Sequence, residues 1–550
     1  MGSAPRAIIV GTGAGGLAAA AYLARDGFDV LALEQAEEVG GFLRPFRRDG
    51  FEFDPGLHYV GACRPGQMLH TVLAGLGLAA ESMFCELDPD GFDVFRFPDL
   101  EVRACRGLDA YCARLSALFP DDAAGLTRLF ARARRIERVA EAALHLAERR
   151  PRPGDLRALP ALPGFLGLRH RSLAELLATT LRSPRARAVL AAQSGDYGLP
   201  PSRASAIGAL LNLLHYADGA FFPRGGSGAL RDAIVEVTTR AGARFETGCR
   251  VRRILIDAGR VVGVEAADGR RFAADIVVSD ADPTVTLGEL VGAEHLPRAL
   301  AEKVRASEPS LGTFTIFLGM RRDLRRHGLG RSNLWLYPTW DIEALYGPAL
   351  AGSVGERFGL FLSPNAQKDD SGRLAPDGCS TLEITTVMPF AAFRPFLGSP
   401  PGERGPAYAA LKASIADRML AVVDTMAPGL IGDVVVREYA TPLTSREYVG
   451  AVDGGTYGPA ATPAQEDGYR TTTPIHGLFL AGAGVLGVGV APCLFSGRLA
   501  AIDAARAHGA RRHGPPDLHV WWCRHLPPPD AGPEEEAIED PLDAGAGCDG

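Results

Sequence analysis

The sequence predicts an α/β fold that begins with alternating parallel strands and helices. Three observations at the N-terminus predict it. A short β-branched run at residues 6–10 is typical of a buried parallel strand. The glycine pattern G-x-G-x-x-G follows at residues 11–16, and the alanine-rich stretch 17–26 predicts a helix. A second apolar run, 29–33, ends at the acidic residue Glu34, which completes the βαβ pattern of a Rossmann-like nucleotide-binding domain.

Each part of this N-terminal pattern has a physical role in binding a dinucleotide. Gly11 permits a tight turn out of the strand, Gly13 leaves room for a pyrophosphate, and Gly16 lets the helix approach the sheet. The first turn of the helix offers unpaired N–H groups to the phosphates. Glu34 can accept hydrogen bonds from both hydroxyls of the adenosine ribose, and its charge repels a 2′-phosphate. The pattern therefore predicts FAD or NAD rather than NADP.

A second glycine pair distinguishes between these two cofactors. Gly40 and Gly41 follow Glu34 in the pattern E-x-x-x-x-x-G-G, which lets another backbone segment approach the dinucleotide. This arrangement resembles the extended motif of the superfamily of FAD-binding amine oxidases and phytoene desaturases. A nicotinamide dehydrogenase would continue with further βα units, whereas residues 51–61 predict a strand and a turn. FAD is therefore the predicted cofactor.

Later segments predict the remainder of this nucleotide-binding domain. The run FPRGGSGAL at 222–230 leads into a predicted helix at 229–241. Short strands between 243 and 279, joined by D-G and G-R turns, predict a β-meander and one further strand. Residues 475–484 predict a last strand with its turn, and 491–508 predict a last helix.

The glycines at 482, 484 and 487 repeat the G-x-G-x-x-G pattern. No acid-capped strand follows the helix after them, so a second βαβ unit cannot be completed. We therefore predict one nucleotide site. We expect the N-terminus of the last helix to approach the ribitol and isoalloxazine of FAD, where its dipole would favour an anionic reduced flavin.

Length and motif positions predict more than one domain, because 550 residues exceed a single compact core. We predict a discontinuous FAD-binding domain with a β-meander, and a mixed α+β substrate domain whose first segment is largely helical. The predicted FAD-binding segments are 1–75, 221–290 and 441–510, the substrate segments are 76–220 and 291–440, and 511–550 is a flexible acidic tail.

Composition and charge exclude several classes of function. The formal net charge is −7, but residues 530–550 hold eight acidic residues and neither lysine nor arginine, so the remainder sums to +1. This near-neutral body gives no basis for nucleic-acid binding. The nine cysteines form no C-x-x-C, and neither H-E-x-x-H nor H-x-x-E-H occurs, so we expect no metal site. The cysteine pattern favours a reducing compartment, and we predict neither a membrane span nor a secretion signal.

Five segments resemble the phytoene desaturase, carotenoid cis–trans isomerase and retinol saturase family of flavoproteins. The resemblance covers most of residues 5–510. The segments are 11–34, the pair Gly40-Gly41, FPRGGSGAL at 222–230, VVSDADP at 277–283 and LAGAGVLGVGV at 480–490. Two further features, the run 53–61 and the run 454–458 with 462–465, resemble the saturase and isomerase branch more than the desaturases. Many relatives have a His-Pro-Gly-Gly-Gly-like turn before the last helix, and this chain departs from it with VLGVGV at 485–490.

The resemblance implies which residues surround FAD and which lie beside the flavin ring. Those implied at the cofactor are Gly11, Gly13, Ala14, Gly15, Gly16, Glu34, Gly41, Phe42, Val251, Gly482, Ala483, Gly484, Gly489 and Val490. His58 and Tyr59 are the catalytic candidates, because the family places their segment beside the ring or the ribitol. His58 suits a proton donor near neutral pH. A hydrogen-bonded structural histidine is the alternative at this position.

The function that the resemblance implies is FAD-dependent oxidoreduction at C=C bonds of an apolar polyene, such as a retinoid or carotenoid. Saturation or isomerisation ranks above phytoene-type desaturation. With one nucleotide site, reduced flavin must come from a transient visit of NAD(P)H or from a separate reductase, and the electron partner stays open. A flavin amine oxidase and a flavin-free carrier of prenylated proteins are the rival hypotheses.

A segment near 126–167 is a candidate for peripheral membrane contact. Residues 128–152 carry a net charge of +5 on a predicted amphipathic helix, and an apolar, proline-rich run follows. A solvated helix face is the alternative interpretation. We accordingly predict a cytoplasmic protein, with the inner membrane as the candidate surface for peripheral contact.

Overall fold

The structure, a computed structural model, describes residues 4–148 and 153–509. The predicted acidic tail, 511–550, and residues 149–152 of the basic stretch lie outside this range. The strands are β1 (Arg6–Val10), β2 (Asp29–Leu33), β3 (Phe46–Arg48), β4 (Phe51–Phe53), β5 (Phe84–Glu86), β6 (Asp93–Phe97), β7 (Leu100–Ala104), β8 (Phe221–Pro223), β9 (Arg244–Glu246), β10 (Val251–Asp257), β11 (Arg260–Ala266), β12 (Arg271–Ala273), β13 (Ile276–Ser279), β14 (Gly312–Met320), β15 (Asn333–Leu336), β16 (Leu360–Ser363), β17 (Ser380–Met388), β18 (Val434–Ala440) and β19 (Leu478–Leu480).

The described helices connect these strands. They are α1 (Ala14–Arg25), α2 (Met68–Gly75), α3 (Leu108–Leu118), α4 (Ala123–Glu148), α5 (Leu162–Leu166), α6 (Leu173–Thr180), α7 (Pro184–Leu190), α8 (Ala206–His215), α9 (Gly226–Arg240), α10 (Pro283–Val285), α11 (Arg298–Ala306), α12 (Ile342–Leu350), α13 (Asn365–Lys368), α14 (Gly405–Met426), α15 (Pro442–Val449) and α16 (Val490–Ala507). Within the described ranges, none of these helices has the length and apolar character needed to cross a bilayer.

A five-stranded parallel sheet carries the N-terminal motif. Its order is β19-β13-β1-β2-β9, so strands from three distant parts of the sequence lie side by side. The central strand β1 pairs with β2 and β13. On one face of β1, Ala7 and Ile9 are buried by small, mostly alanine side chains of α1 and α16. On the other face, Ile8 and Val10 are buried against β10 and β11. The antiparallel meander β10-β11-β12 follows as a separate sheet.

The largest of the sheets has seven strands in the order β18-β14-β17-β16-β15-β6-β7. Strands β15 and β6 run parallel, and the other neighbours are antiparallel. Residues 76–220 are largely helical, as predicted, apart from 84–104, where β5, β6 and β7 form. In the hairpin β6-β7, strand β7 alternates apolar with polar residues after a Pro-Asp turn, whereas β6 is mostly buried and pairs with β15.

Candidate functional site

The glycine turn between β1 and α1 has the geometry of a phosphate cradle. Gly11 adopts a φ of +87°, which a β-carbon would strain. A β-carbon on Gly16 would collide with the carbonyl oxygen of Gly11. Gly13 stands at the N-cap of α1 and offers no side chain to cap the helix. The first N–H groups of α1 are therefore not capped by their own N-cap residue, as anion binding requires.

The last strand and helix close over this turn through glycine contacts. A β-carbon on Gly15 would collide with the backbone nitrogen of Gly482, and one on Gly497 would collide with the carbonyl oxygen of Gly15. Helix α16 can thus approach α1 at backbone distance. The turn at 482–484 also requires glycine, because Gly482 and Gly484 have φ of +89° and +85°.

The second glycine pair lies against the first. Gly41 has a φ of +55°, and its β-carbon would stand 3.1 Å from the Cα of Gly13. Phe42 follows and contacts the turn at Gly56, where a β-carbon would meet its side chain at 2.5 Å. The pair therefore brings the segment after β2 to the mouth of the cradle, as the extended motif predicts.

Glu34 lies at the end of β2 with 7% of its surface exposed. Its Oε2 accepts hydrogen bonds from the Thr12 hydroxyl at 2.6 Å and from the Thr12 N–H at 3.0 Å, and Oε1 accepts from the N–H of Ala36. The backbone carbonyl of Glu34 accepts from the N–H of Cys249, which stands two residues before Val251. The predicted ribose and adenine residues, Glu34 and Val251, thus lie on adjoining segments.

The start of α16 is open. Gly489 is exposed at the N-cap with a φ of +90°, and no atom would lie within 4 Å of its β-carbon. Val490 begins the helix and is half-buried. Ala483 contacts Gly458, and Gly484 packs against Pro459. The cradle, the buried acid and this open helix start fit the pyrophosphate, ribose and flavin parts of FAD, although the individual contacts stay predictions.

His58 lies beside a buried acid that sequence reasoning missed. Its Nδ1 is 2.8 Å from Oε2 of Glu383, which belongs to β17 and is fully buried. The other oxygen of Glu383 accepts the backbone N–H of Asp54 at 2.9 Å. One carboxylate therefore holds both ends of the turn 54–58. The His58 side chain keeps 19% of its surface exposed, and its ring makes an edge contact with Phe361.

Lys368 is a fully buried cation behind His58. Its Nζ donates to the carbonyl oxygen of His58 at 2.8 Å, and to Asn333 Oδ1 and Ser363 Oγ at 2.5 Å each. Burial lowers the pKa of Lys368 to about 7, and the Glu383 carboxylate opposes that shift. Burial likewise raises the pKa of Asp54 to about 7, and the charge of Glu383 adds to the rise. The turn carrying His58 is thus fixed to the seven-stranded sheet by a compact ionic cluster.

Tyr59 points to a different set of partners. Its hydroxyl donates to Asp196 at 2.7 Å and lies 3.1 Å from Asp93, and its ring stacks on Tyr216 with centroids 4.5 Å apart. Burial raises the pKa of Tyr59 well above 10 and that of Asp196 to about 8. The hydroxyl therefore bridges two acids, which favours a bracing role over the predicted catalytic one.

Three potential metal ligands also come together in the described chain, at Cys85, Asp369 and Asp370. The acids already have partners: Asp370 pairs with Arg224, and Asp369 accepts from the N–H groups of Gly225 and Ser371. We assign no metal to this group.

Comparison with known proteins identifies the family. The family model described as flavin containing amine oxidoreductase matches residues 14–504. The all-trans-retinol 13,14-reductase of Rattus norvegicus is 27% identical over 508 residues, covering 88% of this chain and 83% of the relative. The chloroplastic prolycopene isomerase of Arabidopsis thaliana is 29% identical over 529 residues, covering 92% and 83%.

Solved structures agree on the fold. An oxidoreductase from Methanosarcina mazei superposes with a TM-score of 0.62 at 17% identity, covering 90% of this chain and 99% of that one. Wild-type putrescine oxidase bound to putrescine gives 0.61 at 16% identity, covering 92% and 99%. The sequence prediction of an FAD-dependent oxidoreductase with this α/β fold is confirmed by the family match. The chain belongs to the flavin containing amine oxidoreductase family.

Proposed function

We propose that this oxidoreductase acts on C=C bonds of an apolar polyene, with reduction or isomerisation ahead of desaturation. The observation that carries the proposal is the match, over 83% of their lengths, to a retinol 13,14-reductase and a prolycopene isomerase. We propose that segments 1–75, 221–290 and 441–510 hold FAD, and that 76–220 and 291–440 hold the substrate. FAD supplies hydride exchange when it is bound.

The residues around His58 suit the handling of one proton beside an apolar chain. Glu383 occupies Nδ1, so Nε2 is the nitrogen left to exchange a proton with the substrate. The neighbouring wall is aromatic: Phe361 contacts the imidazole, and Trp335 lies against Phe361 with centroids 4.5 Å apart. Such a wall excludes water and binds a polyene without polar contacts.

The source of electrons is part of the proposal. The chain has one complete dinucleotide motif, so NAD(P)H would reduce the flavin during a transient visit, or a separate reductase would do so. Desaturation would instead pass electrons to a quinone or to oxygen. Reduction of the flavin by NADH or NADPH, followed as bleaching of its absorbance without substrate, distinguishes the first two sources.

The amine-oxidase alternative finds little support in the lysines. A lysine-linked water is common in such relatives, and this chain has only Lys303, Lys368 and Lys412. The three N–H bonds of Lys368 are taken by His58, Asn333 and Ser363. Lys303 donates to the carbonyl oxygen of Gly468, and Lys412 lies over the rings of Tyr408 and Tyr439.

We also propose that the protein contacts a membrane surface peripherally. Five leucines between the second half of α4 and the end of α5 are exposed. The most exposed of them, Leu156, shows 61% of its surface. They are Leu146, Leu156, Leu159, Leu162 and Leu166. The segment packs along α4, whose Arg128, Arg135 and Arg138 are also exposed. A basic helix beside exposed leucines suits the surface of an anionic bilayer, here a cytoplasmic face of the inner membrane.

Vesicle sedimentation tests that contact. We expect binding to phosphatidylglycerol vesicles that weakens when Leu156 and Leu159 become serine, and when the three arginines become glutamine. Leu350→Ser, at an exposed leucine of α12, is the matched control. Equal binding by all variants would remove the membrane proposal.

Product mass tests the central proposal. Retinol, phytoene and poly-cis lycopene are each incubated with reduced and with oxidised holoenzyme. A gain of two hydrogens means saturation, an unchanged mass with a new geometry means isomerisation, and a loss of two hydrogens means desaturation. If all three substrates stay unchanged under both conditions while putrescine or another amine is oxidised, the polyene proposal is overturned.

A further inference from the structure

A carboxylate lies inside the glycine cradle. Asp280 directly follows β13, and its backbone N–H donates to the carbonyl oxygen of Val10 in β1. A β-carbon on either Gly13 or Gly15 would stand 2.5 Å from one of its carboxylate oxygens, and one on Gly482 would collide with the same group. The acid is therefore enclosed by glycines from α1 and from the turn after β19.

This carboxylate supplies the cap that α1 lacks. The N-cap residue Gly13 has no side chain, and the first turn of α1 carries no acid. The backbone N–H groups of Gly13 and Gly16 instead lie close enough to Asp280 to favour its ionised form and to oppose the rise of its pKa. These groups and the positive end of the helix are what a pyrophosphate would use at this turn. The Asp280 carboxylate and the FAD pyrophosphate would thus use the same few backbone N–H groups.

The ionisable groups that face Asp280 are acids. The carboxylate of Glu34 raises its pKa, and the Cys493 thiol of α16 lies close enough to interact with it. Asp282, its neighbour on the same segment, faces elsewhere: it accepts from the N–H and hydroxyl of Thr284, at 2.7 Å and 2.6 Å. A diphosphate bound beside Asp280 would add further negative charge.

We propose that Asp280 controls cofactor loading: its ionised carboxylate competes with the FAD pyrophosphate for the N-terminus of α1, so FAD binds best when Asp280 carries a proton. This inference concerns cofactor affinity and does not depend on the substrate or the reaction.

The direction of the pH dependence follows from the state of Asp280 without cofactor. Burial raises its pKa to about 7, Glu34 adds to the rise, and the two backbone N–H groups oppose it. Below pH 7 the group is largely neutral and FAD affinity is flat. Above pH 7 the proton must be recovered when FAD binds, so the dissociation constant rises by up to about tenfold per pH unit.

The test measures FAD release from diluted holoenzyme by flavin fluorescence between pH 6 and pH 9. We expect the wild-type dissociation constant to rise at least tenfold over this range. Asp280→Asn keeps the size and can cap the helix without a charge, so its constant should be flat and lower than that of the wild type at pH 9. Asp282→Asn is the matched control, and it should retain the wild-type profile.

Calorimetry gives a second readout that needs no variant. FAD binding to wild-type protein at pH 7.5, in two buffers of different ionisation enthalpy, should show net proton uptake. Three results would overturn the inference: a wild-type constant that is flat from pH 6 to pH 9, a parallel slope in Asp280→Asn, or binding without proton uptake. If Asp280→Asn does not fold, Asp280→Ser takes its place and the calorimetric result still decides.

Discussion

The glycine cradle and the ionic cluster behind His58 are built in opposite ways. The cradle is built from contiguous sequence motifs and acts through the backbone, because Gly11, Gly13 and Gly41 have no side chains. The cluster joins side chains from β15, β17 and α13 to the turn after β4, and it works through paired charge. Contiguous motifs can thus specify the proposed cofactor site, whereas the surroundings of His58 depend on long-range packing.

The largest expected effect is at the cradle. In Gly15→Ala the new methyl group meets the backbone of Gly482 and the carboxylate of Asp280, and neither can move without opening the contact between α1 and α16. We expect purified protein to carry less than about a tenth of the wild-type flavin, measured by absorbance. Gly208→Ala in α8, where a β-carbon has room, is the control. Full flavin content in Gly15→Ala would contradict the backbone account of the cradle.

The next effect is at His58. His58→Gln should lower turnover about a hundredfold, within the range that loss of a general acid costs, while flavin content stays unchanged. The comparison between the two regions would fail if flavin were lost together with activity, because the histidine would then belong to the cofactor site. Turnover equal to that of the wild type would leave His58 as a structural residue.

A smaller effect is expected at Glu383, which we propose to be a positioning residue for His58. Glu383→Gln keeps a hydrogen-bond acceptor for the N–H of Asp54 but removes the charge beside the imidazole. We expect about a tenfold loss of turnover, because the imidazole then lacks the carboxylate beside its Nδ1. The loss should fall on kcat, with KM unchanged.

The control for Glu383 is Glu265→Gln in the meander. That glutamate is also buried and paired, with Arg252 and Arg271, but it is remote from His58 in the sequence and lies in another sheet. An equal loss of turnover in Glu265→Gln would show that Glu383 has only a structural role.

The difference between the regions also explains what the sequence could predict. The strands and helices around residues 6–34 and 276–279 follow the predicted bounds to within a few residues, because buried parallel strands are short apolar runs. Glu383 and Lys368 were missed, since each is remote in sequence from His58. One signal was present: Glu383 is a charged residue within an otherwise uncharged strand, and such a residue is buried only with a partner.

The hairpin at 93–104 was missed for a related reason. Its strands lie in a segment whose other elements are mostly helices, and only pairing with β15, more than 200 residues later, makes β6 part of a large sheet. Strand identity here depends on a tertiary partner rather than on local propensity.

The smallest expected effect is at Asp196, and it concerns stability rather than activity. The pKa of this acid is raised to about 8, chiefly by burial and then by the charge of Asp93, whereas an unfolded aspartate titrates near 3.8. The folded state therefore binds more protons than the unfolded state between about pH 4 and pH 8, so this group makes the protein less stable as pH rises through that range.

Asp196→Asn keeps a partner for the hydroxyl of Tyr59 and removes the charge. The free energy of unfolding in urea should be measured for Asp196→Asn and for the wild type. The value for the variant minus that for the wild type should be at least about 1 kcal/mol larger at pH 8 than at pH 5. An equal difference at both pH values would mean that Asp196 is ionised throughout, because its hydrogen bonds from Tyr59 and Asn212 then outweigh the cost of burying its charge.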